Sequence, residues 1–361
     1  MAQRSLLFYT HALVGGGAER VWARLASGFA ARGDKVTFVV DFHAEENLRF
    51  LSKDVRLIVL PRRHPLATEG LAHLLRSMAP DVVLSAISIS NLKLTLASWW
   101  AGCAKRAILS YHGFYENEPQ FLSRLGYQFS RYMVASTGAT IAVSDSLRGD
   151  MITRFSVDPQ KLSTIYNPAA IDPFPAAVAA AELAARPPHV VAIGRMVADK
   201  DFSFMVRSFA RTKTAGAQLT IFGEGPERQN VKALSYQLGI ADRVHLPGFS
   251  NEVYQTLAAA KCFALASRHE TFSLALVEAM SFGLPAVVTR SGGPPEVLGS
   301  PDLGRIIAIG DVDGYAKALD DLLADPGDPA PRQARAQHFS LDAALDHYDA
   351  LIKQVIAEAA G

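Results

Sequence analysis

Two cysteines in 361 residues leave little material for covalent bracing. Cys103 and Cys262 stand far apart, with no CxxC spacing and no histidine-rich neighbourhood. A disulfide framework and a zinc site are therefore excluded as organising features, and two buried thiols in a reduced compartment are expected. Charge of one sign is also scarce: 36 Lys and Arg face 35 Asp and Glu, for a net +1. With no basic block, nucleic acid is not an expected partner. Long hydrophobic runs are missing as well. Ala97–Ala101 and Phe263–Ala266 fall far short of the roughly 20 apolar residues that a membrane span takes. Met1 to Tyr9 run directly into a strand-like pattern without a charged leader or cleavage site, so a cytoplasmic protein is expected.

What is present is alternation. Short β-rich apolar runs, Leu6–Thr10, Val36–Asp41, Val55–Leu60, Val82–Ala86, Ala107–Tyr111, Thr140–Val143 and Ser163–Tyr166, are separated by helical patterns such as Glu19–Ala31, Phe121–Ala135 and Ser146–Arg154. This is the sequence form of stacked β-α units around a parallel sheet. Pro168, Pro173, Pro175, Pro187 and Pro188, with an alanine-rich insert, then break the pattern. The alternation restarts with Val190–Ile193, Leu219–Phe222, Val244–Leu246, Phe263–Ala266, Ala286–Thr289 and Arg305–Ala308. The expected plan is α/β: a doubly wound domain over residues 1–168, a linker over 169–188, a second doubly wound domain over 189–339, and a C-terminal helix over 340–361. That helix carries Leu341, Ala344, Leu345, Tyr348, Leu351, Ile352 and Val355 on one face and is expected to pack back toward the N-terminal domain. Ligands of such sheets bind at the carboxyl ends of the strands, and two such edges facing each other make a cleft.

Three constellations carry chemistry. Gly15-Gly16-Gly17 precede the first helix, where close backbone N–H groups and the helix N-terminus suit a phosphate, although an empty flexible turn has the same composition. A dinucleotide fingerprint is disfavoured, because Arg20 and, in Gly223-Glu224-Gly225-Pro226-Glu227-Arg228, Arg228 occupy the place of its third glycine. Arg195 and Lys200 bracket the first strand-to-helix turn of the second domain, where two cations can grip a diphosphate and meet the charge that grows on it as a sugar departs. Glu270-Thr271-Phe272-Ser273-Leu274-Ala275-Leu276-Val277-Glu278 is the most specific segment. Glu278 is flanked by apolar residues and expected to be partly buried, so it needs hydroxyl or N–H donors, which a ribose diol supplies. Glu270 suits sugar hydroxyls, and the N–H groups of Phe272, Ser273 and Leu274 open a helix toward phosphate.

On GGGAER at 15–20, GRMVADKDF at 194–202, GEGPER at 223–228, LPGF at 246–249 and the glutamate pair with seven residues between, the chain resembles the GT4 family of retaining glycosyltransferases over nearly its whole length. The resemblance implies a GT-B fold: two Rossmann-like domains with an interdomain cleft, acceptor-side first and nucleotide-sugar-binding second. It implies that Arg195 and Lys200 hold the diphosphate, Glu278 the ribose, Glu270 the transferred sugar, and Phe249 the base. Gly16 and Gly17 would close over the donor from the opposite domain. His112, in Tyr111-His112-Gly113, would reach the transferred sugar, whereas residue chemistry alone equally suits a strand-end histidine bonded to backbone. The implied reaction moves a hexose or N-acetylhexosamine, from a UDP-sugar by preference, to a glycan or lipid-linked acceptor in polysaccharide, lipopolysaccharide or glycan biosynthesis. Two cations and helix N-termini can neutralise the diphosphate, so no metal or other cofactor is expected. A catalytically silent nucleotide-sugar-binding protein and an epimerase of the same fold are the rival readings.

Two segments depart from the pattern. Tyr166-Asn167-Pro168 stands where many relatives carry asparagine and glycine at the hinge. Asp311-Val312-Asp313 imitates the metal-binding aspartates of the other large glycosyltransferase fold, but its place before Gly314 and a helix predicts capping. Finally, Phe121, Leu122, Leu125, Phe129, Tyr132 and Met133 are interleaved with Arg124 and Arg131, and Trp99, Trp100, Lys105, Arg106, Arg62 and Arg63 lie elsewhere in the same domain. This mixture suits peripheral contact with an anionic membrane at its inner face, or equally a core helix with solvated arginines.

Overall fold

The computed structural model describes residues 3–360 except 61–66, 119, 170, 172 and 251. Arg62 and Arg63 lie outside the described residues. The chain forms two compact units, one of residues 1–170 with 340–361 and the other of residues 171–339.

The first unit opens with β1 (Ser5–Thr10), α1 (Gly17–Ala31), β2 (Lys35–Val40), β3 (Arg56–Val59) and α2 (Ala67–Met78). It continues through β4 (Val82–Ala86), α3 (Ser88–Ala101), β5 (Ala107–Tyr111), α4 (Phe121–Gln128) and α5 (Ser130–Ser136). β6 (Ala139–Ala142), α6 (Asp145–Phe155) and β7 (Leu162–Thr164) complete the sheet. All pairings are parallel, in the order β3-β2-β1-β4-β5-β6-β7. β4 and β5, apolar except for Ser85 and Ser110, are buried along their whole length, as strands covered by helices on both faces must be.

The second unit begins with the short α7 (Ala180–Ala185) and then runs β8 (His189–Ile193), α8 (Phe202–Phe209), β9 (Gln218–Phe222), α9 (Arg228–Gln237) and β10 (Val244–Gly248). α10 (Val253–Ala259), β11 (Cys262–Leu265), α11 (Leu274–Ser281), β12 (Ala286–Thr289) and α12 (Pro294–Leu298) follow. β13 (Gly304–Ile307), α13 (Val312–Ala324) and α14 (Ala330–Gln337) close it. Its parallel sheet has the order β10-β9-β8-β11-β12-β13. Phe209, Ile221, Leu319 and Tyr315 fill its core, and the Tyr315 hydroxyl donates to the Val287 carbonyl at 3.1 Å. In both sheets the strand order reverses direction beside the first strand, at β1/β4 and at β8/β11. Those are the two switch points where an α/β sheet opens toward ligand.

The last helix, α15 (Leu341–Ala360), belongs to the first unit. Its face of Ala344, Leu345, Tyr348, Leu351, Ile352 and Val355 is buried. Leu345 rests on α1 at Gly28, where an added Cβ would stand 2.6 Å from its Cδ1. Tyr348 meets Trp22 edge-on at 6.0 Å, and Arg4 bridges Asp34 and Asp349 at 2.7 and 2.6 Å.

The structure differs from expectation in two places. The single helix expected over Phe121–Ala135 is broken at Phe129 (φ −91°, ψ 2°) into α4 and α5. The bend keeps Tyr127 and Met133 in the core while Phe129 and Tyr132 turn outward. The segment expected as a linker is partly folded onto the second unit. Leu183 of α7 is buried, Val178 N donates to Gln333 Oε1 at 3.0 Å, and Gln333 Nε2 returns to the Ala176 carbonyl at 3.0 Å. Alanine favours helix, Glu182 pairs with Arg186 at 2.9 Å on the exposed side, and Leu183 supplies the buried contact, so a short helix laid on a neighbouring surface satisfies the insert.

Candidate active site

Loops at the carboxyl ends of β8, β9 and β10 lie in backbone contact, and glycine makes this possible. Gly223 (φ +129°) sits so close to Gly194 that a Cβ would stand 2.0 Å from the Gly194 carbonyl oxygen, and one on Gly225 (φ +156°) would stand 2.3 Å from that of Met196. Met196 N donates to the Glu224 carbonyl at 2.8 Å, and Gly223 N to that of Gly248 at 2.9 Å. From this packed rim Phe249 projects with 80% of its surface exposed, as a flat apolar face for a base to stack on. Arg195, in the first loop, is exposed, and among the described residues no carboxylate pairs with it.

At the β8/β11 switch point, Lys200 Nζ is ion-paired with Glu270 Oε2. The pair joins the two segments that the sequence marked as diphosphate and sugar sites. Each partner is fixed from behind. Ser267 Oγ donates to the same Glu270 oxygen at 3.1 Å, and the Ser267 carbonyl accepts from Thr289 Oγ1 at 2.5 Å. Next to Lys200, Asp201 takes a left-handed conformation (φ +39°), caps α8 by accepting from Phe204 N at 3.0 Å, and accepts from Arg268 Nε at 2.7 Å. Arg268 N also donates to the Asp199 carbonyl at 2.7 Å, so the loops after β8 and β11 are stitched by both backbone and side chains.

A third loop, after β12, supports Glu270. Glu270 N donates to the Ser291 carbonyl at 2.9 Å, and Gly293 N to the Glu270 carbonyl at 2.8 Å. A Cβ on Gly293 would lie 2.0 Å from the Thr271 carbonyl oxygen. α11 then begins at Ser273, a non-glycine residue at φ +78° whose hydroxyl caps the helix by accepting from Leu276 N at 3.4 Å. Phe272 is buried edge-on to Phe339 at 5.3 Å, and the first N–H groups of α11, with Leu274, open at the same sheet edge. Glu278 is only 4% exposed, as its apolar flanks predicted.

In the first unit, Gly16 caps α1 without a side chain, and Asn47 Nδ2 pins the glycine turn by donating to the carbonyls of Val14 (2.5 Å) and Gly16 (3.2 Å). Gly17 is the first helical residue. Glu19 folds back over the cap, because a Cβ on Gly16 would be 1.9 Å from its Oε2. A phosphate approaching this helix N-terminus therefore meets a carboxylate already there. His112 follows β5, with Nε2 2.9 Å from Ser110 Oγ and its ring edge-on to Trp22 at 5.9 Å. Burial pulls its pKa down to about 3, so it is a neutral imidazole at ordinary pH.

The structure thus brings Arg195, Lys200, Phe249, Glu270, Phe272, Ser273, Leu274 and Glu278 to the carboxyl edge of the second sheet, and Gly16, Gly17 and His112 to that of the first. Ser267, Arg268, Asp201 and the Gly292-Gly293 turn escaped sequence reasoning. Only the glycine pair ahead of Pro294 carried a signal. Asp311 accepts from Gly314 N at 2.8 Å as the cap of α13, and Asp313 pairs with Arg211 at 2.6 Å. Among the described residues no cluster of three His, Cys, Asp or Glu could hold a metal ion.

Two doubly wound units, each opening at its switch point, define the two-domain GT-B architecture. Residues 15–173 match the model of Glycosyltransferase Family 4, and residues 176–339 match that of the Glycosyl transferases group 1. The chain carries both in order and belongs to the glycosyltransferases that pair these two domains. A relative is the lipopolysaccharide core biosynthesis glycosyltransferase LpsE of Rhizobium meliloti, 27% identical over 342 residues and 86% of each chain. Among solved structures, a glycosyltransferase of Rickettsia africae superposes with a TM-score of 0.82 at 17% identity, over 98% of this chain and 99% of that one. HepE of Anabaena in complex with UDP gives 0.80 at 18% identity, over 96% and 98%. A second structure of HepE holds UDP-glucose.

Proposed function

We propose that this glycosyltransferase transfers a hexose or N-acetylhexosamine with retention from a nucleotide diphosphate sugar, UDP-linked by preference, to a glycan or lipid-linked acceptor in lipopolysaccharide or polysaccharide synthesis. The observation that carries the reading is the Lys200–Glu270 pair at the β8/β11 switch point, on the same sheet edge as the start of α11 and as Arg195, with which no carboxylate among the described residues pairs. As the bond from the anomeric carbon to the diphosphate breaks, its electron pair passes to the diphosphate oxygen. Charge grows where Arg195, Lys200 and the N–H groups of Phe272, Ser273 and Leu274 can meet it. Lys200 has three N–H donors, enough to keep Glu270 and take a phosphate oxygen, while Glu270 accepts from sugar hydroxyls. Glu278 receives the ribose diol, Phe249 the base, and His112 a hydroxyl of the transferred sugar. Gly16 and Gly17 close over the donor, exchanging contacts with Glu19. The UDP and UDP-glucose complexes of HepE and the name of LpsE support the donor and the pathway.

Neutralisation by side chains and helix N–H groups makes a metal unnecessary. The test is incubation with UDP-, GDP- and ADP-sugars without acceptor, with and without EDTA. Slow release of free sugar and nucleotide diphosphate, unaffected by EDTA, is expected. A new sugar isomer would identify an epimerase, tight binding without turnover a silent binding protein, and loss restored by Mn²⁺ a metal enzyme. The configuration of a transferred product, read by NMR, tests retention. No described helix is long and apolar enough to cross a membrane. The exposed aromatic and arginine residues of α4 and α5 support peripheral contact with an anionic surface on the cytoplasmic side.

A further inference from the structure

α11 and α12 both run back from the donor edge of the second sheet, and one helix, α14, meets the far ends of both. α11 closes on Phe282 and on Gly283 in a left-handed conformation (φ +76°), where the N–H groups of Gly283 and Leu284 take the carbonyls of Met280 (2.9 Å) and Ala279 (3.2 Å). The carbonyls of Ser281 and Gly283 are left for partners outside the helix. Both partners come from α14: Gln333 Nε2 donates to the Ser281 carbonyl at 3.0 Å, and Arg332 Nε to that of Gly283 at 2.7 Å. α12 also ends on a left-handed glycine, Gly299 (φ +75°). Arg335 lies against it, donating from Nε to the Val297 carbonyl at 3.1 Å and from Nη2 to that of Glu296 at 2.7 Å.

Arg332 is only 2% exposed, and its Nη2 donates to the Gly327 carbonyl at 3.3 Å. Burial pulls its pKa down to about 10, which leaves the guanidinium charged at neutral pH. A cation at this depth is costly unless something negative faces it, and the carbonyl end of α11 is the negative pole of that helix. The eight residues of α11 span only about 12 Å, so a helix pinned at its last carbonyls is pinned at its first N–H groups as well. At the other end of α14, the Arg335 guanidinium lies over the ring of Phe339 at 4.9 Å, and Phe339 is the ring on which Phe272 packs. We infer that Arg332 and Arg335 are positioning residues of the donor site: from α14 they hold the far ends of α11 and α12, and so fix the N–H groups that meet the diphosphate and the Gly293 turn that carries Glu270. This rests on the proposed reading of the start of α11 as the diphosphate contact.

Amide hydrogen exchange of the full chain and UDP calorimetry, both under conditions where circular dichroism shows the variant folded, test this. In R332M exchange should rise over residues 272–284, and in R335M over residues 290–299, with the rest of the second unit unchanged. UDP affinity should fall about tenfold in each, the cost of a charge-assisted hydrogen bond made at the wrong distance. R332K keeps the charge and one donor for the Gly283 carbonyl, and should hold UDP affinity to within about threefold of the parent. Arginines of purely structural use would lower the urea midpoint and leave the UDP affinity of the folded protein intact, and that result overturns the inference. Exchange that rises evenly through the unit, or a lysine variant no better than R332M, overturns it too. If R332M does not fold, R335M, at a half-buried position, decides alone. If the parent fails to bind UDP, the donor reading fails, while the exchange pattern still decides whether α14 holds α11 and α12.

Discussion

Glu278 is nearly inaccessible on a helix whose neighbours are apolar, and in the proposed function its carboxylate receives the ribose diol. Glu278→Gln keeps the shape and removes the charge. A carboxylate accepting from two ribose hydroxyls loses about 1.5–3 kcal/mol in that exchange, so UDP affinity should fall roughly tenfold to hundredfold by calorimetry. Arg195 differs, because it is exposed and no carboxylate among the described residues pairs with it, so in the proposed function its charge meets one that develops during reaction. Arg195→Ala should therefore lower kcat about 10²-fold with little change in UDP binding. Equal losses in both would make it a ground-state contact.

His112 couples the site to pH through stability. Its folded pKa of about 3 lies below the ordinary value of 6.5, so the unfolded chain takes up the proton first. The contribution is unaffected above 6.5 and is lost as pH falls from there toward 3, at up to about 1.4 kcal/mol per pH unit. His112→Gln removes that titration. Between pH 7 and pH 5 the parent should lose about 2 kcal/mol more stability than the variant in urea unfolding, and parallel losses would refute the buried neutral ring.

At the scale of elements, the donor edge is built from backbone brought to contact distance, and glycine positions set it. Gly293 has an ordinary helical conformation (φ −67°), so alanine there costs nothing in its own dihedrals. Its Cβ would nevertheless stand 2.0 Å from the Thr271 carbonyl oxygen, which is backbone and cannot swing away. Gly293→Ala should cost about 1–3 kcal/mol and push Glu270 and the start of α11 out of register, weakening UDP binding. Gly15, with nothing within 4 Å of its added Cβ, should accept alanine with no change in unfolding. Such contacts explain what sequence could and could not say. Apolar runs such as Val82–Ala86 and Ala107–Tyr111 announce their strands because both faces are buried, and Asp311 announces its cap because capping is local. Glu270 and Lys200 were singled out in the sequence by motif spacing. Their ion pair, the Thr289–Ser267 bond behind it and the Gly293–Thr271 contact join segments 22 to 70 residues apart in the chain, where no local pattern reports. The break at Phe129 was hidden because apolar spacing continues across it.

At the scale of the whole molecule, the net charge of +1 gives no long-range pull toward an anionic surface, so any membrane contact must come from a local patch. The break between α4 and α5 makes such a patch. Phe121 is 74% and Tyr132 62% exposed, Leu122 and Phe129 are exposed beside them, and Arg124 and Arg131 are both at the surface. Trp99 and Trp100 are also exposed, at the end of α3. Large aromatic side chains in water are unfavourable unless something covers them, and rings with arginines suit the headgroup layer, where the ring is buried and the cation meets phosphate. The protein should sediment with phosphatidylglycerol vesicles, less with phosphatidylcholine alone, and salt should release it over the range in which the Debye length shrinks below about 10 Å. Arg124→Glu with Arg131→Glu should abolish sedimentation while leaving UDP affinity intact. Phe121→Ser with Tyr132→Ser should weaken it even at low salt, because that half of the binding is apolar. Vesicle binding unchanged in both pairs, or absent from the parent at low salt, would show that the α4–α5 surface is not a membrane contact.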